Sequence, residues 1–323
     1  METETEILEI PDPKQARRAA SLCAFATVMT HVIAVALTLV ASYLLRDSTL
    51  SEQASLNLNL ILNTVVNDLI AMPLCWLIFL RRLPRNEALA PDAPDKTPLQ
   101  FGRFAFFFPC VYALSAAGSM TGRLIGLLTD KGLTDIVSDV ILSVNPWVTL
   151  LCASIVAPIA EELFFRKALI DRLSQFHPMD AILFSALLFG LIHGNLTQFL
   201  YAFPIGVVFG IIYWRTKNIG YTILLHVAMN TIGGVIPQII TMLMQGEGEG
   251  LAAMLGALVW LLFASFMLGL IVVGIIFLIR FRRRFLPVES PLPRCRKPFY
   301  LNVGWFVACT VFLATFIYIE WNA

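Results

Sequence analysis

Pro158-Ile159-Ala160-Glu161-Glu162-Leu163-Phe164-Phe165-Arg166 sets two adjacent carboxylates and a guanidinium into a run that is otherwise apolar for several helical turns. Even on lenient insertion scales, a Glu or Arg at the centre of a membrane helix costs about 2.5–3.5 kcal/mol. Such residues need partners or work. At about 3.6 residues per turn, Glu162 and Arg166 stand on one face and can pair, whereas Glu161 points about 100° away. The partner of Glu161 has to come from another helix, and the chain holds four histidines, His31, His177, His193 and His226.

The composition extends the reading of that run to the whole chain. Of 323 residues, 58% are hydrophobic and 14% charged, with a mean hydropathy of +0.77, whereas a soluble domain carries about 25% charged residues. The chain reads as all-α, a polytopic membrane helix bundle whose surroundings are the lipid bilayer. The net charge of +1 is segregated by loop, and nucleic-acid binding finds no support. Cys23, Cys75, Cys110, Cys152, Cys295 and Cys309 are scattered without a Cys-x-x-Cys spacing, as small core hydrophobes rather than a disulfide framework.

Spans of about 20 apolar residues cross a bilayer core. Candidates fall near 20–45, 56–80, 101–128, 147–171, 179–194, 197–214, 219–242, 251–280 and 300–320, which predicts eight to nine transmembrane helices. With the N-terminus in the cytoplasm, 20 of the 23 basic residues face inward, leaving Arg46, Arg123 and Lys131 outside. The positive-inside rule therefore favours a cytoplasmic N-terminus. Asp130, Asp135, Asp139, Glu247 and Glu249 populate the opposite loops. The expected organisation is a cytoplasmic tail over 1–19, peripheral helices over 20–128, a four-helix core over 145–242 and C-terminal helices over 251–323. In the second helix Asn59, Asn63 and Asn67 recur every four residues beside Asp68, a pattern read first as interhelical hydrogen bonding and second as a polar cavity. Gly206 and Gly210 form a small-xxx-small pair for close packing.

His193 lies toward the end of the fifth helix, and His226 and Asn230 share one face of the seventh. Counted at about 1.5 Å per residue, His226, Glu161, Asn230 and His193 lie roughly 10–22 Å below the cytoplasmic boundary, so the four can meet at one level. A carboxylate and an imidazole can hold and deprotonate a water while a second imidazole and a carboxamide donate to an oxyanion, which is the kit for amide hydrolysis. Glu161, His193 and His226 are also a set that could ligate a divalent metal such as zinc, with a position open for water. His31 reads as a packing residue, and His177 as a solvated residue of a cytoplasmic turn.

Glu161-Glu162-x-x-x-Arg166, Phe189-x-x-x-His193 and His226-x-x-x-Asn230, in this order on successive apolar helices, resemble the three motifs of the CPBP family of CaaX proteases and bacteriocin-processing enzymes, which includes the type II CaaX prenyl endopeptidases. The resemblance covers roughly residues 145–242. It implies an intramembrane endopeptidase in which Glu161 and His193 activate water, His226 and Asn230 stabilise the oxyanion, and Glu162 and Arg166 give structural support. Members are called metalloproteases, yet a metal-free, glutamate-dependent mechanism is also argued for the family, and both stay open. The implied substrate is a peptide or membrane protein at the bilayer, prenylated or not. A multi-pass protein of a bacterial cytoplasmic membrane is expected. Two competing readings are a non-catalytic immunity or scaffold protein with the same fold, and a transporter with a proton relay. The latter would need internal repeats, and the chain shows none.

Overall fold

A computed structural model describes residues 12–46, 49–89, 96–128, 143–245, 251–285 and 288–322. Asp130, Asp135, Asp139, Glu247 and Glu249, like Lys131, lie outside the described residues. The described residues form an all-α bundle of nine main helices: α1 (Pro13–Leu45), α2 (Glu52–Leu80), α3 (Phe101–Leu128), α4 (Pro146–Leu173), α5 (Pro178–Ile192), α6 (Leu196–Thr216), α7 (Ile219–Met244), α8 (Leu251–Phe285) and α9 (Val303–Asn322). Seven of them, all but α5 and α9, are long and apolar enough to cross a membrane. The chain is a polytopic membrane bundle. With 15 residues, α5 extends only about 22 Å at 1.5 Å per residue. It is also the most enclosed: Ala181, Phe184, Ala186 and Leu188 are buried among the other helices.

Helix starts follow capping chemistry. Asp12, Ser51, Asn145, His177, Asn195 and Asn218 each accept a backbone N–H of the first turn they precede. The pair Asp12-Pro13 starts α1 well before residue 20, so Lys14, Arg17 and Arg18 ride on the helix instead of in a tail. His177 is likewise buried in its capping position, not solvated.

Three helices contain π-helical turns at a constant offset from a proline. Val65–Ala71, Leu150–Val156 and Thr231–Val235 end two residues before Pro73, Pro158 and Pro237. Proline brings no N–H and clashes with the carbonyl four residues back, a conflict that a wider turn relieves. The last N–H before each proline reaches back five residues: Met72 to Asn67 O, Ala157 to Cys152 O and Ile236 to Thr231 O. The next carbonyl in that register meets a nitrogen without hydrogen.

At the centre, α6 packs along both α5 and α3, while α3 also carries α8 and α1 pairs with α9 and α2. Gly206 and Gly210 account for the close approach of α5 and α6: a Cβ would meet Ala186 at 3.1 Å from the first and Ile182 at 2.7 Å from the second. The first helix is less peripheral than expected. Its stripe Ala16, Ala19, Ala20, Cys23, Ala24 and Thr27 is buried, at helical spacing. The asparagine ladder of α2 is also corrected, because the bonds to α4 come from elsewhere on the helix. Asn57 accepts Asn145 N–H at 2.8 Å and Gln53 donates to Ser143 O at 2.7 Å. On the other side, Gln238 of α7 donates to Val144 O.

Candidate active site

Motif residues converge from α4, α5 and α7. Glu162 is fully buried and pairs with Arg166 at 3.2 Å. The same oxygen, Oε1, faces His226 Nδ1 at 3.1 Å. Because the carboxylate accepts, Nδ1 carries the hydrogen in this contact. The other ring nitrogen, Nε2, lies 3.7 Å from Glu161 Oε2. His226 therefore stands between the two motif glutamates, each addressing a different nitrogen. Spacing had assigned Glu162 to Arg166 alone; its hold on His226 is tertiary and had no signal along the chain.

The guanidinium of Arg166 lies over the Phe189 ring at 4.4 Å and near Phe209 at 5.4 Å. Both rings also touch His226, with centroid distances of 5.9 Å for Phe189 and 5.6 Å for Phe209. Arg166 thus has two aromatic faces and a carboxylate, a favourable setting for a desolvated cation. Phe189 further contacts His193 edge to face at 5.1 Å, which puts one ring between the two motif histidines.

His193 ends α5, followed by Gly194 with φ of 73°. Its Nδ1 donates to Phe189 O at 2.7 Å. A carbonyl can only accept, so this bond places the hydrogen on Nδ1 and leaves Nε2 with its lone pair. Asn230 is anchored through the π-helical turn of α4. Pro158 cannot give Ala153 O an N–H in the five-residue register, and Asn230 Nδ2 donates to that carbonyl at 2.9 Å. An amide NH₂ has two hydrogens, so one remains for another acceptor.

The structure thus brings Glu161, Glu162, Arg166 and His226 into direct contact, His193 beside them across Phe189, and Asn230 onto the helix of Glu161. Among the described residues, no three or more His, Cys, Asp or Glu side chains are grouped as metal ligands. Glu161, His193 and His226 do not fit together as the zinc set considered from sequence, and no step below runs through a metal. His31 sits against Phe312 and Thr315, remote from this cluster in the packing of α1 on α9. A carboxylate that sequence reading had treated mainly as packing, Asp68, is buried in the turn of α2 that packs on Ala157–Glu161. Its signal was the Asn67-Asp68 pair inside an apolar helix.

Comparison with known proteins agrees with these motifs. Residues 143–232 match the family model described as Type II CAAX prenyl endopeptidase Rce1-like. A Bacillus subtilis (strain 168) protein described as "Putative membrane peptidase YdiL" is 32% identical over 168 residues, 51% of this chain and 68% of that protein. No solved structure matches the chain. With motif order, fold and relative in agreement, the chain belongs to the CPBP, or CaaX-protease-like, family in its Rce1-like form.

Proposed function

We propose that this protein is an intramembrane endopeptidase that hydrolyses a peptide bond of a membrane-associated substrate with a water activated by Glu161 and His193. The observation that carries the reading is His226, held between Glu162 at 3.1 Å and Glu161 at 3.7 Å. Glu161 accepts a proton from the water as its oxygen bonds to the carbonyl carbon, and returns it to the leaving nitrogen when the C–N bond breaks. His193 Nε2, a lone pair by the tautomer argument, is the second acceptor for that water. The second hydrogen of Asn230 Nδ2 is a donor for the oxyanion, joined by His226 Nε2 when the ring carries hydrogen on both nitrogens, and the low dielectric around them strengthens both. Glu162 and Arg166 hold His226 in place.

Substrate approach from the lipid side agrees with the surface near Glu161. Ile159 and Leu163 of α4 and Leu224 of α7 are exposed apolar residues beside the site. The family description makes prenylated CaaX peptides the first substrates to try, and the Bacillus relative supports a membrane peptide more broadly. The N-terminus is assigned to the cytoplasm on the basic residues of the loops.

Mass spectrometry of a prenylated CaaX peptide panel with unprenylated controls, incubated with wild type and Glu161→Gln in lipid, tests the reading. Cleavage by wild type and none by Glu161→Gln is the expected result. Equal cleavage by both would remove Glu161 as the base. No cleavage by a well-folded wild type would favour a binding role with the same fold.

A further inference from the structure

The first turns of α1 carry Lys14, Arg17, Arg18 and Ser21, which the i, i+3, i+4, i+7 spacing puts on one face of the helix. All three cations are exposed. Among the described residues, none of their side chains meets an acid or another hydrogen-bond acceptor. Like charges at these spacings repel one another, so an anion seated on this face relieves a strain that the described chain leaves standing.

The start of α9 turns this face into a cavity. Gly304 crosses α1 so closely that a Cβ there would run into the backbone carbonyl of Ser21, and Gly304 N–H donates to Ser21 Oγ at 3.0 Å. Asn302 holds the turn before α9: its Nδ2 donates to Pro298 O at 3.1 Å and Phe299 O at 2.6 Å, and its Oδ1 accepts Trp305 N–H at 2.9 Å. Between the two fixed helix starts lies a cavity of about 350 Å³, lined by the three cations and by Ser21, Leu22, Asn302 and Val303. That volume falls within the range of small-molecule sites, roughly 300–1,000 Å³, and exceeds the need of a single ion. Ser21 Oγ already accepts Gly304 N–H, while the hydroxyl hydrogen has no acceptor among the described residues.

We propose that this cavity binds the phosphate of an anionic phospholipid, which bridges the first and last helices of the chain. The guanidinium forks of Arg17 and Arg18 match phosphate oxygens, Lys14 adds charge, and Ser21 donates its free hydrogen. Position selects a lipid over free phosphate. The cavity stands at the polar end of the apolar span Pro13–Leu45, at headgroup level whichever side of the membrane it faces. Leu22 and Val303 line it, and Phe25 and Phe306, three residues further into each helix, are exposed. These side chains give the acyl chains an apolar track leading away from the phosphate. The site is independent of the peptidase reading.

The test uses the full chain in nanodiscs of phosphatidylcholine, with and without a minor share of phosphatidylglycerol. Native mass spectrometry reads the phosphatidylglycerol retained, and melting temperature is recorded in both lipids. Arg17→Gln/Arg18→Gln removes the forks, Lys14→Gln is the milder change, and Arg282→Gln/Arg283→Gln neutralises an equally exposed basic pair at the end of α8. Wild type and the α8 variant are expected to retain phosphatidylglycerol and to melt higher with it. Affinity should fall about fivefold in Lys14→Gln and about twenty-fivefold in Arg17→Gln/Arg18→Gln, from about 1 kcal/mol for each basic residue at a membrane surface. The double variant should also melt alike in the two lipids. An equal loss in the α8 variant would trace retention to the general field of basic residues and overturn the site. Binding of inorganic phosphate in detergent as tight as that of the lipid would overturn the lipid assignment. A wild type that retains no phosphatidylglycerol would overturn the proposal and leave the face to the acidic residues at the start of the chain, Glu2, Glu4, Glu6 and Glu9.

Discussion

Along α4, two acid–base pairs four residues apart are completed in different ways. Toward the C-terminal end of α4, Lys167 meets Asp171 at 3.1 Å, and also donates to Leu89 O at 2.9 Å and to Tyr213 Oη at 3.0 Å. Asp171 in turn accepts the Tyr213 hydroxyl at 2.5 Å. Deeper in, Glu162 and Arg166 share one contact at 3.2 Å, while Glu162 Oε2 and the Arg166 Nε and Nη2 atoms make no hydrogen bond with the described residues. The saturated pair fastens α4 to α6 and to the segment after α2. The deeper pair holds His226 of α7 beside Glu161. Burial of charge alone does not distinguish an anchor from a site; the completeness of its hydrogen bonding does.

Removing one partner of the deep pair should give the largest effect. Arg166→Ala leaves Glu162 as a fully buried, unpaired charge, a change expected to cost about 3–5 kcal/mol. Folded yield and melting temperature in detergent are the measurements. The double variant Glu162→Gln/Arg166→Met should recover most of the lost stability and none of the peptidase activity, since His226 loses its carboxylate. Wild-type melting in Arg166→Ala would show that the two pairs are not different in kind.

Asn230→Ala separates the two properties from the other side. One hydrogen of its amide holds Ala153 O and the other is free for the oxyanion, so abundance should change little while activity falls. Loss of one oxyanion donor corresponds to about 2.7–4 kcal/mol, or about 10²–10³ in kcat. Steady-state kinetics on the peptide panel would show it; a loss below tenfold would remove Asn230 from the role.

Tyr213→Phe probes the saturated pair. The hydroxyl both donates to Asp171 and accepts from Lys167, and a hydrogen bond to a charged group is worth about 1.5–3 kcal/mol. Melting temperature should fall, and kcat per folded molecule should stay at the wild-type level. A kcat loss at unchanged stability would reverse the assignment of anchor and site.

Much of this contrast was legible in the chain, and the rest had a physical reason not to be. Helix-long apolar runs predicted the polytopic bundle, and the i,i+4 rule paired Glu162 with Arg166, because both depend on neighbours in sequence. The contacts of His226 with the two glutamates depend on how α4 and α7 are rotated and tilted, which spacing does not encode. The π-helical turns were marked by prolines inside apolar runs, and their consequence, the freed carbonyl that holds Asn230, follows once the five-residue register is seen. The start of α1 was also marked, by Asp12-Pro13, but hydropathy outweighed the capping signal. Asp68 was visible and weighed against three asparagines, whose regular spacing favoured packing.

The smallest effect belongs to a histidine outside the membrane spans, and it sharpens the rule that finished hydrogen bonding marks an anchor. His177 caps α5 by accepting Asp180 N–H at Nδ1, at 3.3 Å, with the Asp180 carboxylate 3.6 Å away. Asp180 itself accepts Cys295 N–H at 2.6 Å and pairs with Arg294 at 2.7 Å, tying the segment before α9 to the start of α5. Burial lowers the ring's affinity for a proton, Asp180 raises it, and Arg294 and Arg296 lower it, with a net shift below the ordinary value of 6.5. The folded chain therefore holds this proton less tightly than the unfolded chain does. Stability from the cap is fully present above about pH 6.5 and is lost as pH falls below it, because the unfolded state binds the proton first. Replacement by Asn keeps a capping oxygen that does not titrate, and caps of this kind are worth about 0.5–2 kcal/mol. Between pH 8 and pH 5, wild type should lose more melting temperature than His177→Asn, with equal kcat at pH 8. Parallel melting curves for the two proteins would mean that the ring is held by packing and that its nitrogen contributes no cap.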